Sequence, residues 1–267
     1  MTYNPKAITN TYDEIAERED RFEKGFSLRN DVPREFIKKY LSAGDVVLDA
    51  GGGSGINAIM MAQRCRKVTL LDISPQMLAL AATTVQNAGL SERIDLVAGD
   101  ITNLGRFGDA EFSFVVCLGG SLSYVLEKAP RAIRELVRVA RKQSILIVGC
   151  DSKYGFVKWV LSDHSECQLD LESRLDTAIE AYEASEYEPG EGARAHLYTV
   201  AELTGLLKEA GCEILEVAST PTLLDSWDQS AYPEDKRSEL MALELKACTI
   251  PELLGTGHHL FCVARKA

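Results

Sequence analysis

From residue 46 to residue 148 the chain alternates short, continuous apolar runs with segments whose apolar positions recur three and four apart. The runs fall at 46–50, 68–72, 94–98, 112–118 and 145–149, and the helically spaced segments between them at 56–63, 75–88 and 128–140. Strands that are apolar throughout, rather than at every second position, predict a parallel sheet covered on both faces. Alternation with helices makes the unit α/β, and right-handed crossovers bring every strand's carboxyl end to one edge.

Three regions stand outside this alternation. Residues 1–45 carry two amphipathic segments, 11–24 and 32–41, which predict a helical cap. Residues 151–195 form an acidic insertion with a helix over 171–185 and a loop over 188–192. A helix over 200–210, closed by Gly211, and a strand over 212–218 follow; a second insertion, 220–256, holds a helix over 234–247 and precedes a strand over 260–264. The expected organisation is one overall domain, with a core of 46–150 and 196–267, the cap, and two insertions acting as lids.

Composition narrows the function classes. With 29 Lys and Arg against 40 Asp and Glu in 267 residues, the net charge of −11 repels a phosphate backbone. The densest basic stretch, 131–142, reads as one helix face, so nucleic acid is an unexpected partner. The seven cysteines, at 65, 117, 150, 167, 212, 248 and 262, form no C-x-x-C pair, which argues against a zinc site and a disulfide framework. The first residues lack a signal-peptide core, and no apolar run approaches the roughly 18 residues needed to span a bilayer. The expectation is a cytoplasmic protein without a bound metal; monomer and homodimer are both open.

The first strand runs into Asp49 and then Ala50-Gly51-Gly52-Gly53-Ser54-Gly55. Glycines at alternate positions suit a turn needing positive φ and close backbone approach to a ligand. A helix starting near Ser54 would direct amide dipoles at that turn. The second strand ends in Asp72-Ile73, about 20 residues on, where a carboxylate can accept hydrogen bonds from both ribose hydroxyls. The third ends in Gly99-Asp100-Ile101 and the fourth in Cys117-Leu118-Gly119-Gly120. A dinucleotide fingerprint, G-x-G-x-x-G, would require glycine where the chain has Ile56, which weakens a nicotinamide-dependent oxidoreductase as an alternative.

The pattern D-x-G-x-G-x-G with these four strand ends resembles the class I S-adenosylmethionine-dependent methyltransferases, most closely over 46–148, and more like their small-molecule members. The resemblance implies a Rossmann-like, seven-stranded, mostly parallel sheet with an antiparallel last strand, helices on both faces and helical lid insertions. It implies S-adenosyl-L-methionine as cofactor. Asp49, Gly51, Gly53, Ser54 and Gly55 would hold its methionine part, Asp72 and Ile73 the ribose, and Asp100 the adenine amino group with Ile101 against the ring. Cys117, Leu118 and Gly119 would lie beneath it, and Tyr12 and Arg29 of the cap would reach its carboxylate. Two features depart from the family: Cys117 stands where an acidic residue is common, and no N/D-P-P-Y/F signature is present.

Methyl transfer is an in-line displacement in which the protein aligns the partners and excludes water, and a base is needed only if the acceptor must lose a proton. Tyr124, with Ser121 and Ser123, follows the fourth strand, and His196, with Tyr198, leaves the long insertion; Tyr124 and His196 are the candidate catalytic residues. His164 is a weaker candidate base, and His258 and His259 read as surface residues of a hairpin. Aromatic residues in the insertions (Phe156, Trp159, Tyr182, Tyr187, Trp227, Tyr232) suit a planar or apolar acceptor, and the acidic lid favours a neutral or cationic one such as an amine. The expected reaction is methylation of a small molecule. Methylation of RNA or protein, or cofactor binding without catalysis, are the alternatives.

Overall fold

The computed structural model describes residues 2–162, 169–190, 193–224 and 232–267, with the backbone alone at 189 and 190. The chain opens with two helices, α1 (Pro5–Lys24) and α2 (Leu28–Tyr40). It then alternates through β1 (Val46–Ala50), α3 (Ile56–Ala62), β2 (Lys67–Asp72), α4 (Pro75–Asn87) and β3 (Ile94–Ala98). A second half follows with β4 (Phe112–Cys117), a 3-10 segment (Ser123–Lys128), α5 (Ala129–Val139) and β5 (Ala140–Asp151). Beyond it lie α6 (Lys153–Leu161), α7 (Leu171–Ala184), β6 (Glu186–Gly190), β7 (Ala193–His196), α8 (Val200–Glu209), β8 (Cys212–Thr220), α9 (Arg237–Ala247) and β9 (His259–Lys266).

Seven strands form one sheet in the order β3-β2-β1-β4-β5-β9-β8, and only β9 runs against its neighbours. This is the Rossmann-like sheet with an antiparallel last strand that the motif resemblance implies. The chain leaves β1 toward β2 and β3, then returns to place β4 on β1's other side. That reversal opens a crevice at the carboxyl ends of β1 and β4, the place where ligands bind open α/β sheets.

Side chains alternate across the sheet with period two, and both faces are covered. Leu48, Val115, Leu146 and Cys262 face Ile133 and Leu136 of α5 and Leu203 and Leu207 of α8. Val47, Phe114, Ile147 and Phe261 face Phe36 and Ile37 of α2, Met61 of α3 and Ala81 of α4. Each fully buried Leu, Ile or Phe here contributes roughly 1.5–3 kcal/mol relative to exposure, which is why the strands read as unbroken apolar runs.

The periphery departs from the sequence expectations in three ways. Helix α1 starts at Pro5, six residues before the predicted start, because Asn4 caps it through the Ala7 N–H (3.2 Å) and proline is preorganised in a first turn. Helix α6 is an addition: Ser152 caps it, and Phe156 and Val160 bury against Ala178 and Ala181 of α7 and Leu197. The predicted loop at 188–192 falls partly within a hairpin, β6–β7, in which Tyr187 pairs with Ala195 and Glu186 with His196. His164, Cys167 and Trp227 lie outside the described residues. Among the described residues no helix is long and apolar enough to cross a membrane.

Candidate functional site

The glycine turn after β1 is pinned to β2: the Gly51 and Gly52 N–H groups both donate to the Leu71 carbonyl, at 2.7 and 3.1 Å. Gly51, Gly53 and Gly55 have φ of +77°, +55° and +88°. A Cβ on Gly51 would stand 2.0 Å from Ser121 Oγ, and one on Gly53 2.7 Å from Glu23 Oε1. Glycine is therefore required twice over, for φ and for space. The helix after the turn begins at Ile56 with Gly55 as its cap, not at Ser54, and has only seven residues. The side chains around the turn must supply most of the recognition that its dipole was expected to supply.

They are acidic. Asp72 Oδ2 accepts from the Gly53 N–H and Oδ1 from the Ser74 N–H, both at 2.9 Å, so one carboxylate braces both the glycine turn and the start of α4. Asp49 is 2% exposed, and its Oδ2 has no hydrogen-bond partner. Burial, reinforced by the charges of Glu23 and Asp72, pushes its carboxyl up to about 7. Glu23 comes from the end of α1 and accepts a hydrogen bond from Ser54 Oγ. Burial pushes it up to about 7 as well, against the lowering effect of Ser54. Nothing in the sequence pattern singled out Glu23, because only the fold of α1 over the turn brings it there. Two buried carboxylates and a partly buried one around an open turn, one of them with an orphaned oxygen, suit a ligand carrying positive charge. S-adenosylmethionine, with a sulfonium and an ammonium, fits that donor set.

The cleft at this rim has about 810 Å³ of empty space, open solvent at its mouth included. Gly51, Gly53, Asp72, Ile73, Asp100, Ile101, Gly119, Tyr124, Tyr12 and Arg29 all line it. A contiguous cavity adds Asp49 and Leu118 and shares Glu23, Arg29, Gly51 and Gly119. Ser54, Gly55 and Cys117 do not line either cavity. Ser54 is buried under Glu23, Gly55 caps α3, and the Cys117 thiol is buried in the core, pushed up to about 12 by desolvation. Beyond the end of β3, Asp100 Oδ1 accepts from the Thr102 N–H (2.7 Å) and Oδ2 from the Tyr3 hydroxyl (2.8 Å). Tyr3 precedes the first helix and carries no periodic signal, so sequence reasoning passed over it.

Beyond Gly119 the cleft meets a buried polar cluster. Tyr12 and Tyr124 pack edge to face, with centroids 5.5 Å apart. Burial and the Asp151 charge push the Tyr124 hydroxyl up to about 12, so it is a donor at neutral pH. Tyr187 donates to Asp151 Oδ2 at 3.0 Å, and His259 Nδ1 lies 3.2 Å from Asp151 Oδ1. His258 and His259 are 6% and 7% exposed, which corrects their reading as surface residues: β9 is an inner strand and α6 covers its start. Ser121 and Ser123 serve the backbone, hydrogen bonding the Leu118 carbonyl and the Asp151 N–H.

His196 is elsewhere. It ends β7, 3.4 Å from Glu202 Oε1 and edge-on to Tyr198, and lines a separate surface cleft with Glu186 and Glu202. The hairpin turns it away from the strand-end rim, so its expected catalytic role has no place at the glycine turn.

Residues 47–143 match a family model described as a methyltransferase domain. The chain is similar to the tRNA 5-carboxymethoxyuridine methyltransferase of Escherichia coli K12, with 23% identity over 223 residues, 82% of this chain and 79% of that protein. It is 32% identical over 78 residues to the tRNA1(Val) (adenine(37)-N6)-methyltransferase of Shewanella amazonensis, covering 29% of this chain and 34% of the relative. It is also 32% identical over 150 residues to the demethylmenaquinone methyltransferase of Mycolicibacterium gilvum, covering 54% and 60%. The chain thus spans less than two thirds of two of these three relatives. Among solved structures it superposes on the [4+2]-cyclase SpnF with a TM-score of 0.64 at 19% identity, covering 100% of this chain and 97% of that one. It also superposes on a Burkholderia thailandensis 1,6-didemethyltoxoflavin-N1-methyltransferase with bound 1,6-didemethyltoxoflavin and S-adenosylhomocysteine, at TM-score 0.62 and 16% identity over 98% and 88% of the two chains. At such identities the likeness is one of fold. Two of the relatives act, by name, on tRNA, so net charge alone does not remove nucleic acid from consideration.

Proposed function

We propose that the chain is a class I S-adenosylmethionine-dependent methyltransferase that passes the methyl group to a small-molecule acceptor seated between Gly119 and the tyrosine cluster. The observation that carries this reading is the shared rim: Asp49, Gly51, Asp72, Asp100 and Gly119, from the ends of four successive strands, line contiguous cavities. When bound, S-adenosylmethionine supplies a methyl carbon already activated on a sulfonium.

The residues of this chain then bind and orient. Asp49 and Glu23 offset the ammonium, Arg29 and Tyr12 take the carboxylate, Asp72 the ribose and Asp100 the adenine amino group. Gly119, at φ of +68° and with nothing within 4 Å of where a Cβ would stand, leaves the space above β4 open for the acceptor. Tyr124 positions it and, with Tyr12 and the lid helices α6 and α7, excludes water. Small size is favoured because the acceptor end is roofed by aromatic side chains, with the buried Phe156 stacked on the partly buried Tyr187 at 4.4 Å.

A second reading, methylation of tRNA, draws on the Escherichia coli relative's coverage of most of this chain. Calorimetry with S-adenosylhomocysteine and NADH tests the cofactor: micromolar binding of the first and none of the second is expected, and the reverse overturns the assignment. Radiolabelled methyl transfer into unmodified tRNA against a metabolite fraction separates the acceptors. Label in tRNA alone would discard the small-molecule proposal.

A further inference from the structure

His259 opens β9 and Asp151 closes β5, and the two are register partners across that antiparallel pair. Directly opposed residues project to the same face, here bringing His259 Nδ1 to 3.2 Å from Asp151 Oδ1. Two other elements hold this residue: Tyr187 of β6 donates to the carboxylate Oδ2, and the Asp151 backbone N–H donates to Ser123 Oγ. The charged and titratable groups around the imidazole are Asp151 from β5, Arg29 from α2 and its neighbour His258, with Tyr187 and Tyr124 beyond the carboxylate. Burial and the Arg29 charge hold His259 well below the usual histidine range, so the ring is neutral.

A neutral imidazole carries one proton, and the carboxylate at Nδ1 keeps it there. Nε2 is left with its lone pair. That atom is buried without a hydrogen-bond partner, and His259 lines the same cavity as Asp49, Gly51 and Gly119. Asp151 does not line it and stands behind the histidine. This is the base-and-orienter arrangement, set at the wall of a cavity contiguous with the cleft.

We propose that His259 Nε2 is the proton acceptor of the methyl-acceptor subsite, with Asp151 as its positioning residue, and that the acceptor is a hydroxyl-bearing molecule of phenol or enol type. This rests on the methyltransferase reading. The Arg29 guanidinium beside the pair disfavours a cationic ammonium acceptor and favours an oxygen that gains negative charge as its proton leaves. The Tyr12 and Tyr124 rings, which line the contiguous cleft, suit a planar partner. In the step, the acceptor O–H bond breaks and its proton passes to Nε2. An oxygen lone pair forms the new O–CH3 bond as the CH3–S bond breaks, with its electron pair going to sulfur. Asp151 stabilises the resulting imidazolium through the Nδ1–H.

Nitrogen-15 NMR of the imidazoles in the full chain loaded with S-adenosylhomocysteine tests the geometry, with a phenol series (4-nitrophenol, 4-cyanophenol, 4-chlorophenol, phenol) as the probe. His259 should show a protonated Nδ1 and a bare Nε2 whose resonance moves as a phenol is added, and Asp151→Asn should lose the preference for that tautomer. With S-adenosylmethionine, His259→Gln should slow methylation of phenol by about 10²–10⁴-fold, and of the already ionised 4-nitrophenol far less, while leaving S-adenosylhomocysteine affinity unchanged. A protonated Nε2, no response to any phenol, or equal turnover by His259→Gln overturns the proposal. Failure of the wild type to bind S-adenosylhomocysteine instead removes the methyltransferase reading beneath it.

Discussion

The Ser54 hydroxyl donates a 2.7 Å hydrogen bond to Glu23 Oε2 and so ties the end of α1 to the glycine turn. The bond holds a carboxylate that burial would rather keep protonated. Because folding raises the Glu23 carboxyl from 4.5 to about 7, its contribution to stability is complete below the unfolded value and is lost as pH rises through that window. Glu23→Gln, which cannot ionise, should gain on the wild type in thermal melts from the acidic to the alkaline end of the window, by on the order of 2 kcal/mol. The ionised form suits a cationic ligand, so wild-type affinity for S-adenosylmethionine should climb over the same range and climb less in the variant. A pH-independent difference in melting would show that Glu23 ionises normally.

Gly51→Ala should abolish cofactor binding. The new methyl meets Ser121 Oγ at 2.0 Å while the backbone stays at φ of +77°, which costs a non-glycine residue roughly 1–2 kcal/mol. Adding Ser121→Gly removes the collision but not the backbone cost. The double variant should therefore recover part of the affinity, measured by calorimetry with S-adenosylhomocysteine. Full recovery would mean that the positive φ is dispensable.

The sheet was legible because its strands are buried on both faces and read as runs without alternation. The rim was legible because the turn glycines, Asp72 and Asp100 sit at fixed offsets from strand ends. What escaped depends on distant parts of the chain meeting. Glu23 reaches Ser54 across 31 positions and Tyr3 reaches Asp100 across 97. His259 was misjudged for a related reason: a Gly-His-His start to a terminal strand looks like an exposed hairpin until β8 and α6 are seen to cover it. His196 had the opposite fault, since its position after a long insertion suggested the rim but the β6–β7 hairpin carries it aside.

Tyr3→Phe isolates one of the contacts that sequence passed over. Its hydroxyl occupies a lone pair of Asp100 and fixes the carboxylate that would receive the adenine amino group. Removing a hydrogen bond to a charged group costs about 1.5–3 kcal/mol. Affinity for S-adenosylhomocysteine and for adenosine should fall by the same factor of roughly 10 or more. A loss confined to S-adenosylhomocysteine would place Tyr3's influence on the amino-acid end.

His196→Ala should leave S-adenosylhomocysteine affinity and turnover intact. The imidazole is part-exposed against Glu202, whose carboxylate also closes the capping box at Thr199. A partly exposed pair of this kind contributes at most about 1 kcal/mol to stability. Turnover that falls with unchanged cofactor affinity would return His196 to the reaction and require the hairpin to move during it.

Asp72→Asn preserves shape and removes charge, and its effect separates the two tasks of this carboxylate. As a brace it accepts from the Gly53 and Ser74 N–H groups at 2.9 Å, and an amide has only one oxygen to give them. One of those buried donors is then left facing the amide nitrogen, a penalty of about 1–3 kcal/mol. The folded protein should melt lower, and S-adenosylhomocysteine should bind at least 10-fold more weakly, since the ribose loses its acceptor while the turn loosens. Methylthioadenosine, which keeps the ribose but lacks the amino-acid end, distinguishes the causes. An equal loss for both ligands locates the defect at the ribose, and a larger loss for S-adenosylhomocysteine locates it in the glycine turn. Unchanged affinity for both would mean that the nucleoside lies outside the rim defined by Asp49, Asp72 and Asp100.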